Sequence, residues 1–145
     1  MVIPDIMEKK LEEIQWSEAW DVGIMTIDQS HREFVTLLNR VIRIINEEAC
    51  PVSLSEIFFA LIHYAENHFI REEILLRDAR YTDLDKHQQK HAAFIEKIRS
   101  LREKFSAGDT GVCMELYEYL TGWLREHILR YDQDTLSFLK HQGLS

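Results

Sequence analysis

The chain has 145 residues, 46% of them hydrophobic and 29% charged, a balance that suits one globular domain and excludes a disordered or fibrous polymer. Seventeen basic against 25 acidic residues leave a net charge of −8, which repels phosphate backbones and anionic lipid, so neither nucleic acid nor a membrane is an expected partner. The longest apolar run, Ile57 to Ile62, falls far short of the roughly 20 residues that cross a bilayer; with no stretch of signal-peptide type in MVIPDIMEKKLEEI, the expected location is cytoplasmic.

Only two prolines interrupt the chain, and its glycines fall mostly between periodic segments, which leaves long helices free to form. Residues 1–15 read as an arm or short helix packed outside a domain spanning 16–145. A first helix is expected from Asp28 or Gln29 to about Glu47, capped by Asp28, with His31, Val35, Leu38, Ile42 and Ile45 recurring at steps of three and four. Pro51, then Ser53 with Glu56 three residues on, announces a second helix through the capping-box pattern. Its inward stripe reads Leu54, Ile57 or Phe58, Leu61, Ala65, His68, Glu72, Leu75. Thr82 or Asp83 can cap a third, striped by Leu84, His87, His91, Phe94, Ile98, Leu101 and Phe105 and ended by Ala107 and Gly108. The fourth carries Val112, Leu116, Leu120, Trp123 and His127, and Thr135–Lys140 reads as a short last helix. Short connections favour an all-α, antiparallel up-down-up-down four-helix bundle with an N-terminal arm and a short C-terminal helix. Cys50 and Cys113 form no close ligand pair and are expected to be separate buried or half-buried thiols.

The apolar stripes carry side chains that do not belong in a core: His31, His68, Glu72, His87, His91, His127 and, just beyond, Asp132. Burying such groups unpaired costs several kcal/mol in all, so something inside must bind them. Residues four apart on a helix stand one above the other, so His68 with Glu72, and His87 with His91, each present two ligands to one point. There is no HExxH of a zinc protease and no Cys-x-x-Cys-His of a c-type haem. The ferritin-like pattern also fails, because no histidine has a glutamate three residues before it. Nitrogen and oxygen ligands without thiolate suit a first-row metal, with iron leading, and seven ligands exceed what one tetrahedral zinc can use. Two ions are implied. If both carboxylates bridge, five imidazoles divide three and two, leaving one ion closed and its neighbour one position short. His63 and His141 fall outside the pattern, and Glu73, turned about 100° from Glu72, is expected in solvent.

His127 and Asp132 are five apart, which on a regular helix would place them about 140° apart around the axis. Either the helix widens into one i to i+5 turn around Ile128 to Tyr131, the favoured expectation, or it ends there.

The segments WSEAWDVGIMTIDQSH, HFIREE, the HxxxH pair and WLREHILRYD, in that order, resemble the hemerythrin family, specifically its single-domain bacterial form, from Trp16 to about Phe138. The family commonly has proline where this chain has Thr82. The resemblance implies that His87, His91 and His127 bind one iron and His31 and His68 the other. Glu72, Asp132 and an oxo or hydroxo group would bridge the two non-haem irons. It also implies reversible dioxygen binding for carriage, storage or delivery, without enzymatic turnover, and an electron donor that re-reduces the ferric form. Ile24, Phe69, Leu120 and Trp123 are the expected liners of an oxygen pocket. Two other functions compete: a di-iron redox enzyme acting on peroxide or nitric oxide, disfavoured because oxygen-activating sites tend to be carboxylate-rich, and an oxygen or redox sensor working through a separate partner.

Overall fold

The computed structural model describes residues 10–50 and 54–141, the side chains of Lys140 and His141 aside. Four helices, α1 (Met25–Asn46), α2 (Leu54–Asp78), α3 (Leu84–Ser106) and α4 (Val112–Trp123), pack in a closed ring in which α1 touches α2 and α4, and α3 touches α2 and α4. A π-helical segment, Leu124–Tyr131, continues α4 directly into α5 (Asp132–His141). No strand occurs among the described residues, and the architecture is the expected all-α bundle with a C-terminal helix.

The helix ends follow local chemistry. α1 starts a turn earlier than its sequence suggests, at Met25, and Asp28 does not cap it. The Asp28 carboxylate instead accepts the backbone N–H groups of Val22 and Gly23 at 2.8 and 3.1 Å, fastening the preceding loop over the first turn. α1, α2 and α3 all end on a left-handed residue, Glu48 (φ 55°), Arg80 (φ 58°) and Gly108 (φ 86°). In each case the next N–H returns to the carbonyl five residues back, as Tyr81 does to Leu76 at 2.9 Å, which satisfies an otherwise orphaned carbonyl. Ser53 and Pro51 of the expected capping box lie outside the described residues.

Residues 10–15 carry no helix. Asn39 and Asn46, two turns apart on α1, clip them in place: each amide both accepts from and donates to the backbone of one arm residue, Ile14 and Leu11 respectively, at 2.7–2.9 Å.

Two apolar clusters fill the interior. The larger joins all four bundle helices through Phe34, Leu38, Phe58, Leu61, Phe94, Ile98, Leu101 and Leu116. The smaller is made by Val22, Ile24 and Ile27 with Leu76, Leu136 and Leu139, so that α5 and the loop before α1 lid one end of the bundle. On α2 the buried position is Leu76 rather than Leu75, which is only half-buried.

Cys50 and Cys113 are joined in a disulfide, with Cα atoms 6.4 Å apart, which corrects the expectation of two separate thiols. A residue just past the end of α1 and the second residue of α4 meet only because those helices are neighbours in the ring, and spacing along the chain carries no trace of that.

Candidate metal centre

All seven singled-out side chains come together between the two apolar clusters. His31 lies in the second turn of α1, His68 and Glu72 in the second half of α2, His87 and His91 in the first two turns of α3, His127 in the π segment and Asp132 at the start of α5. None exceeds 5% exposure.

The two carboxylates share one habit: each sends one oxygen to each side. Glu72 Oε2 lies 3.1 Å from His68 Nε2, while Oε1 contacts His87 Nε2 and lies 3.4 Å from His91 Nε2. Asp132 Oδ2 lies 3.3 Å from His31 Nε2, while Oδ1 lies 3.2 Å from His127 Nε2 and 3.5 Å from His87 Nε2. The donor atoms therefore sort into a three-histidine group (His87, His91, His127 with Glu72 and Asp132) and a two-histidine group (His31 and His68 with Glu72), each with its donor atoms within 4.8 Å of one another.

Several of these inward atoms have no hydrogen-bond partner: Nε2 of His31, His91 and His127, Glu72 Oε2 and Asp132 Oδ1. Each such buried orphan costs about 1–3 kcal/mol, and lone pairs converging from several sides are what a cation satisfies. Nitrogen and oxygen donors in this number fit a pair of first-row metal ions.

The electrostatics agree. Burial is the largest influence on Glu72 and acts to push its pKa up, opposing ionisation, yet the nearby imidazoles of His68, His87 and His91 together hold the carboxyl well below its ordinary range. Burial and the Glu72 charge push Asp132 up, but His127 and His31 leave it lowered. His91 loses basicity to burial and regains more from Glu72 and Glu73, ending at about 9, whereas burial depresses His127. Both carboxylates are thus kept ionised.

The widened turn decides whether Asp132 can take part. Across Leu124–Tyr131 the helix is π, and the Asp132 N–H bonds to the His127 carbonyl five residues back. That register stacks the two residues instead of splaying them.

Of the four expected pocket liners, the two aromatic ones, Phe69 and Trp123, stack on imidazoles of the cluster. Phe69 stacks on His91 at 3.8 Å between ring centroids and lies 5.7 Å from His68; Trp123 stacks on His127 at 3.8 Å. Ile24 is buried in the smaller apolar cluster, and Leu120, like Phe69, in the larger. Sequence reasoning missed Tyr64, stacked on His68 at 5.3 Å, and Trp16, 6.0 Å from His31. Tyr64 stands four residues before His68, a signal that was present. Burial, then the charges of Glu72 and Asp132, raises its phenol well above the ordinary value and keeps it neutral.

Glu73 is not in solvent as expected. Its carboxylate accepts from His91 Nδ1 at 2.8 Å and from Gln88 Nε2 at 3.2 Å, because the rotation away from Glu72 turns it toward α3. His63 is exposed and stacks on Phe59; the His141 side chain lies outside the described residues.

A ring of four helices holding a buried, thiolate-free set of imidazoles and carboxylates defines a metal-binding helical bundle. Residues 22–139 match the profile of the Hemerythrin HHE cation binding domain, and the chain belongs to the hemerythrin family. It is 31% identical over 130 residues to a bacteriohemerythrin of Ralstonia nicotianae, covering 90% of this chain and 91% of that protein. To a bacteriohemerythrin of Stenotrophomonas maltophilia it is 30% identical over 118 residues, covering 81% and 76%. A myohemerythrin of Theromyzon tessulatum is 27% identical over 117 residues, covering 81% and 86%. The crystal structure of a point mutant of hemerythrin superposes with a TM-score of 0.71 at 25% identity, over 88% of this chain and 99% of that one.

Proposed function

We propose that the protein binds dioxygen reversibly at two non-haem iron ions, for carriage, storage or delivery. His87, His91 and His127 would hold one iron, His31 and His68 the other, with Glu72 and Asp132 bridging beside an oxo or hydroxo group. The observation that supports it most is the division of the carboxylate oxygens, one of each pair toward either histidine group. A bound iron pair would supply the two electrons that reversible dioxygen binding draws on.

The chain's own part is positioning and exclusion. Three imidazoles and two carboxylate oxygens would fill one side, whereas the two-histidine side has fewer donors and would leave a position for a small ligand. Tyr64, Phe69 and Trp16 surround that side with rings, and the neutral Tyr64 phenol is a poor acid. Such a phenol does not readily protonate and release a bound ligand. Between uses, an electron donor would restore the ferrous state.

No described helix is long and apolar enough to cross a membrane. A cytoplasmic setting is the part of this reading that the disulfide strains, since such bonds are rare where thiols are kept reduced. Thiol titration of protein quenched directly from its source cells reads that point.

The test is metal analysis followed by anaerobic reduction, admission of oxygen and cycles of degassing. About two irons per chain and a visible band that comes and goes with oxygen are expected; one zinc and no band would end the proposal. A second reading, a di-iron redox enzyme for peroxide or nitric oxide, draws on a groove of about 390 Å³ that reaches His127 between Tyr119, Trp123 and Tyr131. Many turnovers per chain with a reductant would favour it.

A further inference from the structure

Every imidazole of the cluster points Nε2 inward, so each ring's Nδ1 faces away from the donors. The Nδ1 atoms of His31, His68 and His87 are buried without a hydrogen-bond partner. His91 differs: its Nδ1 meets Glu73 Oε2 at 2.8 Å, and Gln88, three residues earlier on α3, holds the other oxygen of that carboxylate at 3.2 Å. The ring is fixed in a second direction by Phe69, parallel to it within 1° at 3.8 Å.

An ionised carboxylate only accepts, so the bond keeps a proton on Nδ1, and in the neutral ring that metal binding needs this leaves Nε2 with a bare lone pair aimed into the cluster. We propose that Glu73 is a positioning residue for the metal centre. It selects the binding tautomer of His91, fixes the ring's direction and, through its charge, makes Nε2 a stronger donor than the other imidazoles. Carboxylate partners behind ligating histidines act in this way, and removing one typically costs about 10- to 100-fold in metal affinity. A stronger donor on the three-histidine side favours the ferric state there, so Glu73 also sets the centre's readiness to give electrons. The side chain is 19% exposed and lines a cavity of about 330 Å³ with Glu66, Ile70, Ala92 and Ile95, so the centre's only described carboxylate link of this kind ends near solvent.

This inference rests on reading the cluster as an iron site. The test compares iron-loaded wild type with Glu73→Gln, which keeps an accepting oxygen without charge, and Glu73→Ala, which keeps neither. Two quantities are read: iron retained against a competing chelator, and the midpoint potential of the bound iron. Glu73→Ala is expected to bind iron about 10- to 100-fold more weakly, Glu73→Gln less severely, and both should show a raised potential. A role confined to folding would lower the melting temperature and leave the potential alone, and that result overturns the proposal; so does wild-type behaviour of both variants. If Glu73→Ala does not fold, the near-isosteric Glu73→Gln decides alone through its potential. Wild type that holds iron but does not bind oxygen reversibly ends the oxygen reading and leaves this comparison intact. Wild type that takes up no metal overturns both.

Discussion

The two ends of the bundle use the same helices for opposite purposes. At one end, the C-terminal part of α1, the start of α2, the end of α3 and the start of α4 bury Ile42, Leu54, Phe58, Leu101 and Val112, and the Cys50–Cys113 disulfide ties two of those helices together. At the other, the interior between the main core and the α5 lid is given to imidazoles and carboxylates with unsatisfied atoms. One end supplies the stability that the other uses: the strain of converging donors is tolerable because packing and a cross-link hold the helices in place, as sites of this kind generally require.

If this division holds, changes at the site end should remove metal and changes at the packed end should remove stability. The largest effect is expected for His91→Ala, which takes away a donor of the three-histidine group and leaves a cavity; iron content should collapse, and equal iron in variant and wild type would show the residue misassigned. Next is Cys50→Ala with Cys113→Ala. Opening a loop of 63 residues should cost roughly 4 kcal/mol on a chain-entropy basis, lowering the melting temperature while iron per folded chain stays unchanged. Lost iron in the folded double variant would show that the ends are coupled.

A subtler contrast is pH. In the metal-free chain the Glu72 and Glu73 carboxylates hold His91 up to about 9 against burial. The stability this adds is complete below the ordinary value near 6.5 and is lost as pH rises through 9. Metal-free protein should therefore melt lower at alkaline pH, whereas iron-loaded protein, which needs the neutral ring, should instead hold its metal progressively more weakly as pH falls below about 9. Parallel pH profiles for the two forms would contradict this. The smallest effect is His63→Ala, on the exposed face of α2, expected within about 0.5 kcal/mol of wild type by thermal melting and with full iron content.

Much was legible in the sequence because helices repeat. A period of 3.6 reports which residues share a face, and it grouped His68 with Glu72, His87 with His91, and the apolar stripes of four helices; the five-residue step from His127 to Asp132 conflicted with that period strongly enough to demand a widened turn, which the π segment supplies. Periodicity is local, however, and says nothing about which faces meet. That Cys50 would reach Cys113, that Glu73 would turn to His91 instead of solvent, and that Asp28 would anchor the loop before α1 all depend on neighbours far along the chain or on the direction of a loop. The sequence determined the donors and the helices that carry them. Tertiary packing decided which oxygen faces which histidine and which imidazole is held from behind, because those choices depend on distances of a few ångströms between separate helices.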